Sequence, residues 1–175
     1  MYSLRELRRE DIVVINSWRA KRELIDYLGA PYRFINEEVD NKWYDAYLVN
    51  RGSTIRASIV DKDGKVVGLV SLTNINRINQ TAIFHIMIGD RDHQGKGCGQ
   101  FAIEQMLYHA FGDMNLNRIE LTVLESNSRA INFYEKNNFK KEGIKRKAVY
   151  KNGSFQNMYL MSLLKEDYLD KANNK

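Results

Sequence analysis

The sequence predicts a single α/β (α+β) domain built on a mixed, mostly antiparallel sheet with flanking helices. Three observations carry this. Strand-length apolar or alternating runs recur at residues 4–8, 54–60, 66–72, 82–88 and 118–124. Segments of helical periodicity fall between them. Two hairpin signals, Asp63-Gly64 and Asn152-Gly153, join neighbouring runs antiparallel. The expected domain covers residues 1–168, with a polar tail over 169–175.

In order along the chain, residues 4–8 alternate and read as a first strand. Glu10-Asp11 opens a helix through Ile12, Ile15 and Trp18. Residues 24–34, which include the only proline, Pro31, read as irregular. Asn36 caps a helix whose expected apolar face holds Val39, Trp43 and Tyr47. Two strands flank Asp63-Gly64, and a further strand spans 82–88. Residues 99–111 have a helical apolar face of Ala102, Ile103, Met106, Leu107, Ala110 and Phe111. A strand at 118–124 precedes a helix over 129–137, with cap residues at Ser126-Asn127-Ser128. Two last strands flank Asn152-Gly153.

The chain has 175 residues and is 43% hydrophobic, enough for one sizeable core. Lys and Arg number 27 against 22 Asp and Glu, a net +5 without a basic stripe or nucleic-acid motif. No nucleic-acid partner is expected. No apolar run reaches membrane-span length. The first residues alternate instead of forming a signal-peptide core. A lone Cys98 offers no internal disulfide. The expected compartment is the cytoplasm. The three histidines and Cys98 lack metal-ligand spacing, so no metal is expected.

The chemistry concentrates at residues 86–99. The apolar strand Ile86-Met87-Ile88 runs into Gly89-Asp90-Arg91-Asp92-His93-Gln94-Gly95-Lys96-Gly97-Cys98-Gly99, and a helix follows. Glycines permit tight turns and close approach. The first helical amides lack intrahelical partners and favour an anion. Lys96 adds a mobile cation, and a pyrophosphate fits this arrangement. The spacing matches neither a Walker loop nor a full dinucleotide fingerprint. The bland reading is a surface turn before a helix.

Gln94-x-x-Gly97-x-Gly99 resembles the acetyl-CoA motif of the GNAT superfamily of N-acetyltransferases. A second element, Asn127-Ser128-Arg129-Ala130-Ile131-Asn132-Phe133-Tyr134-Glu135-Lys136-Asn137-Asn138-Phe139, resembles a later helix of that superfamily, with Asn138 in place of a glycine. The nearest branch is the RimJ/RimL and spermidine acetyltransferase-like one. The resemblance extends from Leu4 to about Leu164. It implies a twisted sheet that splays at the fourth strand. The pantetheine arm of acetyl-CoA would pair with the free backbone of Ile86, Met87 and Ile88. Pyrophosphate would lie on the amides of Gln94, Gly95, Lys96, Gly97, Cys98, Gly99 and Gln100. Asn127 and Asn132 would meet pantetheine, and Tyr134 would reach the sulfur as general acid. An amide of Met87 or Ile88 would polarise the thioester carbonyl.

Two departures stand out. Many relatives carry glutamate as base just before the phenylalanine of the fourth strand, where this chain has Ile83. His85 shares a strand face with Ile83 and is the candidate replacement; a water chain or an already neutral amine is the alternative. The similar spermidine enzymes place two acidic residues before a Pro-Tyr pair, where this chain has Gly29-Ala30. Glu37, Glu38 and Asp40 follow, on a helix start where they complement the dipole. Cys98 is not expected to be a nucleophile, because the family's reaction is direct attack. Trp18-Arg19 reads either as acceptor-pocket lining or as a core Trp beside a surface Arg.

The expectation is transfer of acetyl from acetyl-CoA to a primary amine, on a small molecule or a protein N-terminus. The alternatives are a polyamine acceptor and a non-catalytic acyl-CoA-binding module. Partners beyond the substrate reduce to a homodimer, frequent among relatives.

Overall fold

The computed structural model describes residues 1–173. Its strands are β1 (Ser3–Glu6), β2 (Ile55–Val60), β3 (Val66–Asn76), β4 (Thr81–Ile88), β5 (Arg118–Leu124), β6 (Lys140–Lys151) and β7 (Ser154–Leu164). Its helices are α1 (Ile12–Arg19), α2 (Arg22–Ile25), α3 (Glu37–Val49), α4 (Cys98–Tyr108), α5 (Ser128–Lys136) and α6 (Lys165–Asn173). One sheet forms in the order β1-β2-β3-β4-β5-β7-β6. Every neighbouring pair is antiparallel except β4 and β5. That exception follows from the connection: a parallel pair needs a crossover, and α4 supplies it. The β6–β7 hairpin closes through Asn152 at φ 50° and Gly153 at φ 83°. Two successive left-handed residues match the right-handed twist of the strands.

The two faces of the sheet carry separate cores. Val70, Leu72, Ala82 and Phe84 meet Ala102, Ile103 and Met106 of α4 and Ile131 of α5. On the other face Leu7, Ile15, Trp18 and Tyr47 form a smaller cluster, against which Leu69 and Met87 pack. Period-two alternation along β4 divides Phe84 from Met87 in this way.

Several local expectations change. The stretch read as irregular carries no helix or strand from residue 26 onward, but its first two residues, Leu24 and Ile25, end α2. The helix capped by Asn36 forms, with the Asn36 side chain accepting from the Val39 amide at 3.0 Å. However, Val39 is 52% exposed and Asp40 is fully buried. Asn16 donates to Asp40 at 2.8 Å and Arg19 pairs with it, so an ionic contact turns the helix. Trp18 is buried and Arg19 serves this pair, which is the core reading of that dipeptide. Strand β3 continues past residue 72 to Asn76. Helix α4 ends at Tyr108 and widens into a π turn over His109–Asp113. The chain is helical through Asn173, into the segment read as a tail; residues 174–175 lie outside the described residues.

Candidate active site

Strands β4 and β5 are joined by only three rungs, Thr81–Arg118, Ala82–Ile119 and Ile83–Glu120. Beyond Ile83 they part, while β4 stays paired to β3 as far as Gly68–Ile88. Two hydrogen bonds fix which backbone groups face the opening. Arg118 N–H donates to the Gln80 carbonyl at 3.1 Å, and Gly89 N–H donates to the Val67 carbonyl at 3.0 Å. Even-numbered residues therefore face β5, and odd-numbered ones face β3. Ile86 and Ile88 turn their main-chain groups into the gap. Met87 turns its own toward β3, which leaves Ile88 of the two amides considered for the thioester carbonyl. An exposed strand edge can bind an amide-bearing arm as it would another strand.

The loop beyond β4 is shaped by two left-handed glycines, Gly95 at φ 76° and Gly97 at φ 83°. Gly97 stands directly before α4, and a Cβ there would meet nothing within 4 Å. Open space thus lies against the unpartnered amides of the first turn of α4, which suits an anion. Gln94 Nε2 donates to the Ile88 carbonyl at 2.9 Å and ties the loop to the strand end. Lys96 is exposed. His93 points elsewhere: its Nδ1 lies 3.0 Å from the Tyr2 hydroxyl and its Nε2 3.6 Å from Asp61. The Cys98 thiol is buried, and desolvation pushes it up to about 11, which keeps it protonated and inert. At the loop's base, Gly89 is pressed against Trp18; a Cβ there would fall 1.9 Å from the indole.

Helix α5 closes the other side. Gln100 and Asn137 exchange amide hydrogen bonds at 2.9 and 3.1 Å, locking the start of α4 to the end of α5. Asn138 takes φ 67°, the left-handed turn for which relatives use glycine. The Tyr134 ring packs edge-on to Phe84 at 6.4 Å and beside Phe139 at 5.8 Å. Burial pushes its phenol up to about 12, so it carries its proton at neutral pH. Asn127 caps α5, accepting from the Ala130 amide at 3.1 Å, and donates to the Tyr27 carbonyl at 3.0 Å. Its side chain is occupied at both ends. Asn132 is exposed.

On the opposite face, Arg56, Ser71 and His85 are register partners in one row across β2, β3 and β4. His85 Nε2 lies 2.9 Å from Thr73 Oγ1. The ring is open to water, yet the protein packed around it, with Arg56 as a second cause, lowers its pKa below 6.5. It is a neutral base at neutral pH. The Arg56 guanidinium lies 4.4 Å from the Trp43 ring centroid, and its Nε is buried without a hydrogen-bond partner among the described residues.

The chain matches the model of the Acetyltransferase (GNAT) domain over residues 3–140. It belongs to the GNAT superfamily of acetyl-CoA-dependent N-acetyltransferases. It is 31% identical over 173 residues to spermidine N(1)-acetyltransferase of Vibrio cholerae, covering 97% of this chain and 96% of that one. It is 30% identical over 167 residues to spermidine N(1)-acetyltransferase of Escherichia coli K12, covering 95% and 87%. The crystal structure of the Vibrio cholerae enzyme in complex with CoA and spermine superposes with a TM-score of 0.89 at 29% identity, covering 96% of this chain and 98% of that one. The expected superfamily and its splayed mixed sheet are therefore correct.

Sequence reasoning missed three charged residues around the gap. Arg56 reaches the row of His85 only through sheet register. Glu120 faces the gap entrance by pairing with Ile83. Arg129 Nη2 lies 3.8 Å from where a Gly95 Cβ would stand, beside the phosphate loop. A charged arginine inside the strand run Ile55-Arg56-Ala57-Ser58-Ile59-Val60 was the one available signal. No group of His, Cys, Asp or Glu among the described residues is arranged to hold a metal. No helix there is long and apolar enough to cross a membrane.

Proposed function

We propose that this chain acetylates a primary amine on a small molecule or a protein N-terminus by direct attack inside the β4–β5 gap. What supports it is that opposite proton-transfer groups lie on either face of β4 just beyond its last rung with β5, His85 in the row of Ser71 and Tyr134 against Phe84. Neutral His85 is suited to accept a proton from the incoming ammonium. Protonated Tyr134, on the far wall, is suited to give one to a departing thiolate. The main-chain groups that Ile86 and Ile88 turn into the gap are suited to the pantetheine arm. Residues Gln94 to Gln100 form the phosphate cradle, with Arg129 as an added cation. Acetyl-CoA supplies the activated acetyl group.

A polyamine acceptor is the second reading, and the full-length similarity to spermidine enzymes favours it. Against it stand Gly29-Ala30 in place of two carboxylates and the cationic Arg56 beside His85. A cytoplasmic location and a homodimer complete the proposal. The test is mass spectrometry of products from acetyl-CoA with polyamines, amino sugars, sugar nucleotides, aminoglycosides and peptides. An acetylated amine supports the reading. Acetyl-CoA binding with no product from any amine contradicts it and leaves a binding module.

A further inference from the structure

Residues 23–30 cross the open end of the gap. On the β4 side, Glu23 pairs with Arg91 of the phosphate loop at 2.8 Å. On the β5 side, the Tyr27 carbonyl accepts from Asn127 at the start of α5. Gly29 lies so close to Met158 that a Cβ would fall 2.5 Å from its Cε. Met158 is in turn the partner of Leu124 at the end of β5. The segment therefore bridges the ends of the two strands that part.

One side chain holds the β5 end of this strap. Lys151, at the end of β6, is only 4% exposed. Its Nζ donates to the carbonyls of Ile25 at 2.7 Å, Leu28 at 2.8 Å and Ala30 at 2.7 Å. An ammonium has three protons, and here each has an acceptor. Lysine is almost never fully buried without such compensation. The three carbonyls converge because the ammonium is there; without it, they would be crowded and partly unsatisfied.

We propose that Lys151 is a positioning residue whose ammonium acts as an internal ligand, folding residues 25–30 into the strap that shapes the acceptor entrance. The three carbonyls are thus a primary-ammonium site, filled from within the chain. The effect on the acceptor rests on the acetyl-transfer reading; the order of the strap does not.

The test is hydrogen exchange of the amides of residues 25–30 in wild type and Lys151→Ala, measured without acetyl-CoA so that no amine is consumed. The variant should exchange there about tenfold faster or more. Ethylammonium chloride should restore protection, and tetramethylammonium, which has no N–H, should not. In turnover, KM for the amine should rise about tenfold while acetyl-CoA affinity stays within about threefold. Lys151→Met, which keeps the buried stem and removes the ammonium, is the second variant if Lys151→Ala does not fold, and it should speed the same amides. Unchanged exchange in a folded variant, or equal rescue by both cations, overturns the proposal. Absence of turnover in wild type overturns only the acetyl-transfer reading.

Discussion

Ile83 and Glu120 face each other in the last rung that joins β4 to β5. Ile83 occupies the position where many relatives carry the basic glutamate, and a carboxylate stands across the rung instead. Glu120 contacts Arg118 at 3.1 Å through Oε2 alone. Arg118 gives its shorter bonds, both 2.6 Å, to Glu142, whose pKa falls to about 2 through Arg118 and Ser162. Two groups with basic character thus flank the entrance: neutral His85 on β4 and the less engaged carboxylate on β5.

The pH dependence separates them. The protein packed around the His85 ring, then Arg56, lowers its pKa below 6.5. A base works deprotonated, so the rate falls as pH drops through that lowered value. The acidic limb of kcat/KM should therefore have its midpoint below pH 6.5. His85→Gln should cost about 10²-fold and remove this acidic limb. A limb that survives in His85→Gln and disappears in Glu120→Gln would assign the base to Glu120 instead.

Tyr134→Phe keeps the aromatic packing and removes the proton. Turnover should drop about 10²-fold or more, with acetyl-CoA affinity and melting temperature nearly unchanged. Pre-steady-state kinetics must show that chemistry limits the rate. Wild-type turnover under that condition removes Tyr134 from the acid role.

Gly97→Glu places bulk and negative charge over the amides before α4. The open space there means that the folded core is not clashed, although the left-handed φ costs about 1 kcal/mol. Calorimetry on the folded variant should show acetyl-CoA binding lost. Undiminished binding would place the phosphates elsewhere.

Polyamines should be poor acceptors relative to the best amine in the panel. Two absent carboxylates remove roughly 1 kcal/mol of attraction each, and Arg56 adds repulsion. Steady-state kcat/KM for spermidine and spermine decides the matter. A tenfold preference for spermidine over every other amine would establish the polyamine reading.

Much of this was legible in the chain because local chemistry dictated it. Gly95 and Gly97 were readable as a loop since their angles suit glycine. Asn152-Gly153 was readable as a turn for the same reason, and Asn36 and Asn127 as caps because short polar side chains satisfy free amides. What stayed hidden depends on distant partners. Asp40 turns inward in place of Val39 only because Arg19 and Asn16 await it. Arg56 meets the row of His85 only through the registers of three strands. Met87 and Ile88 look alike in sequence, and the ladder phase alone assigns the gap-facing amide. Lys151 reads as one more hairpin lysine until three carbonyls from residues 25–30 surround it.

The central claim is direct acetyl transfer within the gap, and thiol release from acetyl-CoA tests it most directly. Free CoA thiol should appear in step with acetylated primary amine, only when amine is present, and should vanish in Gly97→Glu. Saturable acetyl-CoA binding with no amine-dependent thiol release across the panel would contradict the account.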